Sequence, residues 1–282
     1  MELYDSSILK AVEFIEKRIN EELTLAELAR EASFSKFHFT RIFKAITKEP
    51  VNEYIRKRRM TLAAKDLIET SIPIIQIALT YGYTSQEAFS RAFKTFIDMT
   101  PQSYRKKGVH YHNLYKEALS ETLLQIKKQP VRQGATIIEK PSFFIGGMAT
   151  NGDLDNHIIS KLWNQFYEEL KKQSINPETA RCYGYESLDG NNTPYYLAAI
   201  EVDRLENLPD GWSKVHIPAQ KYAVFTLDNV IENIAFAIEE IYKNQLRALN
   251  VKPVMNYHFE FYDEEFTAHD SRFTLQIFVP IE

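Results

Sequence analysis

Two six-residue strings at an offset of 50 place the same kinds of chemical group at the same spacing: Phe39-Thr40-Arg41-Ile42-Phe43-Lys44 and Phe89-Ser90-Arg91-Ala92-Phe93-Lys94. Wound as helices, each sorts into two faces. Phe39, Ile42, Phe43 and Ile46 recur at the i, i+3, i+4, i+7 positions of a core stripe, and Phe89, Ala92, Phe93 and Phe96 repeat it. The opposite face carries Lys36, Phe37, Thr40, Arg41 and Lys44 in the first copy. In the second it carries Gln86, Glu87, Ser90, Arg91 and Lys94. Guanidinium, hydroxyl, amide and ammonium groups arranged in this way can bond to base edges or hold phosphates in a major groove. One such face is what any solvated helix shows. Two copies with matched cores and matched arginines favour double-stranded DNA as the partner.

A second chemistry sits near the end of the chain. In the string Tyr257-His258-Phe259-Glu260-Phe261-Tyr262, alternation puts Tyr257, Phe259 and Phe261 on one face and His258, Glu260 and Tyr262 on the other. A carboxylate among aromatics is costly if buried without a partner. Facing an aromatic groove, it would suit a lipophilic cation, held by charge and by ring faces. Facing water, it would be an ordinary surface residue.

The elements that position these groups follow from periodicity. Ahead of each string lies a short helical stripe, Leu25, Leu28, Ala29 and Ala32 first, then Ile74, Ile77, Ala78 and Tyr81. These stripes repeat at 49, so the second turn, with Gly82, holds one extra residue. Short helix, tight turn and longer helix make the helix-turn-helix outline, with Ser35 and Thr84 as expected N-caps. Residues 52–69 read as one connecting helix with Met60, Ala63, Ala64 and Leu67 buried. Its length, about 27 Å at 1.5 Å per residue, can hold two recognition helices roughly one DNA turn apart. The run Arg56-Lys57-Arg58-Arg59 either touches phosphates or forms that helix's wet face.

Residues 109–134 read as a linker with one short helix marked by Leu119, Leu123 and Ile126. Its His110 and His112 lack nearby cysteines or paired carboxylates, so no metal site is expected there. Beyond residue 135 the period changes. Strands are expected at 143–149, 181–186, 195–202, 221–227, 256–262 and 272–280. One intervening helix carries Ile159, Leu162, Trp163, Phe166 and Leu170; the other carries Ile231, Ile234, Ala235, Ile238 and Ile241. The fold class is thus two domains: an all-α double helix-turn-helix (1–108), then an α+β duplicated strand-helix-strand-strand module (135–282).

Charge divides along the same line. Residues 1–108 hold 18 Lys+Arg against 14 Asp+Glu, and the remainder 16 against 24. Only the first part suits a polyanion. A single cysteine excludes an internal disulfide. No run approaches the roughly 18 apolar residues of a membrane span, and no basic-then-apolar leader opens the chain, so a cytoplasmic protein without membrane contact is expected. Nucleophile motifs, phosphate loops and metal clusters are absent from the sequence, so neither catalytic residues, metal nor cofactor are expected.

Residues 8–107 resemble the DNA-binding domain of the AraC/XylS family. The motif that carries this is Ile77-Ala78, Gly82-Tyr83, Phe89-Ser90-Arg91-Ala92-Phe93-Lys94 and Thr100-Pro101-Gln102-Ser103-Tyr104-Arg105. Ser35-Lys36-Phe37-His38 and Ser85-Gln86 are similar to the recognition-helix starts of its stress and multidrug-tolerance activators. The resemblance implies that Phe37, Thr40 and Arg41 face bases in one groove segment and Gln86, Ser90 and Arg91 in the next, and that RNA polymerase is a partner. Phe37 stands where that subgroup has tryptophan, and Thr40 where it has glutamine. Glu87 and Ala88 replace a glutamine and a threonine, and Pro50-Val51 departs from a Ser/Thr-Pro pair. The operator therefore does not carry over.

Residues 135–282 resemble a GyrI-like effector-binding domain through Glu139-Lys140-Pro141, Leu162-Trp163, Ala219-Gln220-Lys221-Tyr222-Ala223-Val224-Phe225 and Phe259-Glu260-Phe261-Tyr262. That resemblance puts the pocket glutamate at Glu260 and the helix tryptophan at Trp163, with Tyr222, Tyr183 and Phe278 as further pocket walls. It implies a sensor of an aromatic or cationic small molecule. Two alternatives stay open: a hydrolase of reactive natural products using Glu260, and an unliganded platform for protein contacts.

Overall fold

The computed structural model describes residues 2–128, 131, 134–152, 154–177, 179–188, 191–203, 208–230, 234–254, 256–262 and 272–282. The chain divides into two compact units, Met1–Gln125 and Ile126–Glu282.

The first unit is helical: α1 (Glu2–Lys17), α2 (Leu25–Glu31), α3 (Lys36–Thr47), α4 (Val51–Glu69), α5 (Ile74–Thr80), α6 (Gln86–Ile97) and α7 (Pro101–Lys107). The two helix-turn-helix units are α2–α3 and α5–α6, and their local chemistry repeats in register. Ser35 caps α3 by accepting from the His38 amide, and Ser85 caps α6 by accepting from the Ala88 amide. The second cap is thus Ser85 rather than the expected Thr84: the extra residue of the second turn lies before the cap. Ser33 and Gly82 take the left-handed turn conformation, with φ of 59° and 83°. Lys48 and Asp98, at φ 65° and 69°, end α3 and α6. Phe39, Phe43, Phe89 and Phe93 are fully buried, while Ile42 and Ala92 are partly so. Leu25, expected inside, is exposed.

Helix α4 joins the two units, and Met60, Ala63, Ala64 and Leu67 are wholly buried on it. Much of the basic run on α4 is committed to contacts inside the protein. Arg58 is buried and clamps Glu16 through both ends of its guanidinium, at 2.8 and 2.6 Å. Arg59 donates to the Ile19 and Glu21 carbonyls. Lys57 pairs with Glu49 at 3.1 Å and Arg56 with Glu53 at 2.7 Å. Arg58 and Arg59 thereby tie α1 and the residues just after it to α4, Lys57 ties the residue ahead of α4, and Arg56 pairs within α4 and stays partly exposed.

Residues 109–125 belong to this first unit. Tyr111, Leu114 and Tyr115 pack into the core around α4–α7, with a short 3₁₀ turn at His112–Leu114. The Lys116 amide donates to Thr61 and the Leu119 amide to the Tyr54 hydroxyl. The Lys116 ammonium pairs with Glu49 at 2.9 Å. His110 stacks on His112 and bonds the Tyr115 hydroxyl through Nδ1. Helix α8 (Glu121–Lys128) follows.

Among the described residues the second unit is one antiparallel sheet of eight strands with helices. In chain order these are β1 (Thr136–Lys140), β2 (Phe143–Asn151), α9 (Asn156–Lys172), β3 (Cys182–Leu188), β4 (Pro194–Val202), β5 (Ser213–Ile217), β6 (Gln220–Val230), α10 (Ile234–Glu240), a π turn (Ile241–Gln245), α11 (Leu246–Ala248), β7 (Tyr257–Tyr262) and β8 (Arg272–Ile281). Their lateral order is β1-β6-β8-β7-β3-β4-β2-β5. The duplicated module stands, with one strand added ahead of each half: β1 and β5, the two edge strands. On the helix α10 the buried residue is Ala237, whereas Ala235 is exposed; Ile231, expected on the same stripe, lies outside the described residues.

The sheet has two faces with separate cores. The helix-covered face buries Leu162, Trp163 and Phe166 of α9 and Ile241 of the π turn against Tyr196, Phe225, Tyr262 and Ile277. The other face buries Tyr183, Leu197, Tyr222, Tyr257, Phe259 and Phe278.

Candidate DNA interface and effector site

In the first unit the outward residues of both recognition helices are free to meet a ligand. Lys36, Phe37, Thr40, Arg41 and Lys44 are exposed on α3, and Gln86, Arg91 and Lys94 on α6, with Ser90 partly exposed. Phe37 is 73% exposed, a large apolar side chain left in water, and Arg41 lies over its ring at 5.7 Å. Such a ring is fit for apolar contact with a thymine methyl. Thr40 donates to the Lys36 carbonyl, which leaves its hydroxyl oxygen able to accept. Glu87 is held below the usual carboxylate range by its bonds to its own backbone amide and to Ser85. It is therefore charged at neutral pH, and the positive helix end holds it there. A charged carboxylate at that corner of α6 would repel a phosphate brought against it.

In the second unit the structure brings together two of the five residues expected at an effector site. Glu260 is 2% exposed on the helix-covered face and accepts from the Tyr196 hydroxyl at 2.6 Å and the Tyr262 hydroxyl at 2.7 Å. Trp163 of α9 donates its indole N–H to the Tyr196 oxygen at 3.1 Å, and its ring meets Tyr262 edge-on at 4.9 Å. Tyr183, Tyr222 and Phe278 lie on the opposite face, packed about Phe259. The physical reason is register: Phe278 is paired with Phe259, the neighbour of Glu260 that points the other way. These three line a separate aromatic core rather than the walls around Glu260.

Residues not singled out from sequence complete the site. Gly184 lies opposite Glu260 in the β3–β7 ladder. A Cβ there would fall 2.2 Å from both the Glu260 Oε2 and the Tyr196 hydroxyl. Absence of a side chain is what lets carboxylate and phenol meet, and a glycine inside the strand Tyr183-Gly184-Tyr185 was the available signal. Glu186 lies two residues along β3, on the same face, opposite His258. Burial and the nearby Glu260 raise its carboxyl to about 7. Burial lowers His258 to about 4, so the imidazole is neutral. Burial also pushes Glu260 up, while the two tyrosine hydroxyls pull it back. Among the described residues no lysine or arginine pairs with either carboxylate.

Two repeated helix-turn-helix units with exposed basic helices, joined to a sheet that buries a carboxylate among aromatic rings, define a DNA-binding regulator with a small-molecule module. Comparison with known proteins agrees on both parts. The family model described as a helix-turn-helix domain matches residues 28–107, and the one described as an integron-associated effector binding protein matches residues 136–281. The HTH-type transcriptional activator AarP of Providencia stuartii is 36% identical over 112 residues, 39% of this chain and 83% of that protein. The regulatory protein SoxS of Salmonella typhimurium is 40% identical over 96 residues, 34% of this chain and 90% of that protein. A solved structure of SAV2435 bound to tetraphenylphosphonium is similar at 15% identity and a TM-score of 0.43, over 52% of this chain and 93% of that one. The chain belongs to the AraC/XylS family of transcriptional regulators, with a second unit of the GyrI-like, integron-associated effector-binding family.

No helix of the described residues is long and apolar enough to cross a membrane. Among the described residues no group of three His, Cys, Asp or Glu could hold a metal ion.

Proposed function

We propose that the chain is a ligand-responsive transcription activator. Lys36, Phe37, Thr40, Arg41 and Lys44 read one groove segment, and Gln86, Ser90, Arg91 and Lys94 the next. The second unit senses a lipophilic, aromatic cation, and the promoter-bound chain contacts RNA polymerase.

The observation that carries the sensing role is Glu260. A carboxylate 2% exposed, lacking a lysine or arginine partner among the described residues, is an energetic liability that a cation relieves. The rings of Trp163, Tyr196 and Tyr262 around it supply the π faces that such a cation needs. The test is titration of tetraphenylphosphonium into the full chain carrying Trp212→Phe, which leaves Trp163 the sole tryptophan. Quenching that weakens at least tenfold in Glu260→Gln is expected. Equal affinity in that variant would overturn the cation reading, and turnover of a bound compound would instead make Glu260 a general base.

A further inference from the structure

The buried carboxylate is one end of a longer polar strip on the helix-covered face. Glu186 sits two residues beyond Gly184, which faces Glu260, so the two acids are diagonal neighbours on adjacent strands, roughly 7–8 Å apart at the backbone. They differ in depth: Glu260 is 2% exposed, whereas the Glu186 side chain is 33% exposed. Beside Glu186 stands His258, 5% exposed, with its Nε2 buried and lacking any hydrogen-bond partner among the described residues. That nitrogen is 3.6 Å from Glu186 Oε2, too far for a direct bond. A buried ring nitrogen left unpaired costs about 1–3 kcal/mol, so its persistence calls for an explanation.

The covering element is also unusual. Tyr242 lies in the π turn Ile241–Gln245 that interrupts the helix over this strip, and its ring reaches His258 at 6.0 Å. Single π turns inside helices recur at functional sites.

We propose that this outer end, Glu186 with His258, is a second cation subsite that takes an N–H-bearing ammonium, so that the effector is an aromatic diamine with two positive centres. This rests on the reading of Glu260 as the cation anchor. A neutral imidazole accepts one N–H through Nε2 and the Glu186 carboxylate accepts another, which a primary ammonium supplies and a quaternary one does not. The inner ammonium and its aromatic group go to Glu260 and the rings around it. The site discriminates by number of charges and by N–H donors, because a monocation leaves Glu186 and His258 as they are.

The experiment is calorimetric titration of the full chain at pH 8, where the Glu186 carboxyl is ionised. Three probes share one aromatic end: N-benzylbutane-1,4-diamine, N-benzylbutylamine, and the diamine with its far nitrogen trimethylated. The diamine is expected to bind at least tenfold tighter than either of the others. Glu186→Gln should abolish that preference by costing the diamine at least tenfold more than it costs the monoamine, and His258→Phe should reduce it; urea midpoints of the variants check that they fold. Equal binding of diamine and monoamine, or of diamine and trimethylated probe, overturns the proposal. So does a Glu186→Gln loss shared equally by all three. In each of those results, monoamine binding that still depends on Glu260 leaves the parent reading standing. Absence of that dependence removes both.

Discussion

Replacing Gly184 by alanine tests the geometry of the effector site at its tightest point. The new Cβ would lie 2.2 Å from Glu260 Oε2 and 2.2 Å from the Tyr196 hydroxyl, two oxygens that are themselves bonded at 2.6 Å. Both must retreat, and the same Tyr196 oxygen also receives the Trp163 indole N–H. Overpacking a closed core costs about 1–3 kcal/mol. Losing a hydrogen bond to a buried carboxylate costs about 1.5–3 kcal/mol more. Because relaxation relieves both together, a net loss of about 3 kcal/mol is expected, a large share of a unit's total stability. Urea unfolding followed by tryptophan fluorescence measures it directly, since Trp163 and Trp212 both lie in the second unit. Tyr196→Phe in the same chain removes one of the two clashing oxygens, so the double variant should recover part of the loss. A change below about 0.5 kcal/mol for Gly184→Ala, or strict additivity in the double variant, would refute this packing.

Arg41→Ala and Arg91→Ala should each relax base preference by about 1–3 kcal/mol at one position, measured on a panel of single-base operator variants. A loss uniform across all sequences would make either arginine a phosphate anchor. Arg58→Ala leaves a partly exposed Glu16 without its partner and should cost the first unit about 1.5–3 kcal/mol, read from helical circular dichroism on heating; a loss under about 0.5 kcal/mol would contradict the clamp. His258 is lowered from an ordinary 6.5 to about 4, so it favours the fold above pH 6.5 and that contribution drains away as pH falls toward 4. The raised Glu186 runs the other way, costing stability as pH climbs from the ordinary carboxylate range through about 7. His258→Gln should therefore spare the second unit about 3 kcal/mol of acid loss between pH 7 and pH 4 in fluorescence-monitored urea titrations, and identical acid profiles would contradict the buried neutral imidazole.

The DNA-facing half was legible because it is written twice. Offset 50 aligns the core and outward stripes, and it also aligns the caps Ser35 and Ser85 and the left-handed helix ends Lys48 and Asp98. Yet the second cap was expected at Thr84, where the preceding stripe's offset of 49 would put it, and the helix ends were not singled out. Arg58 was not legible, because a basic run looks the same whether its guanidinium groups meet water, phosphate or a glutamate on another helix such as Glu16. In the second unit, alternation within one strand correctly sorted Glu260 from Phe259. Facing across strands depends on register, which no single strand encodes, and so Tyr183, Tyr222 and Phe278 were placed beside Glu260 when they pack behind it. The edge strands Thr136–Lys140 and Ser213–Ile217 are half exposed and only five residues long, which leaves too few positions to establish a period of two. Gly184 and Glu186 gain their meaning only from the strand they face.

The most direct test of the account is quantitative binding of the full chain to a duplex carrying its own promoter, across ionic strength. Engagement of 6–10 phosphates by the paired recognition helices predicts a fall in affinity of about 10³–10⁵ between 50 and 200 mM salt, with competitor DNA of scrambled sequence bound far more weakly. Affinity indifferent to salt, or equal for promoter and scrambled duplex, would contradict it.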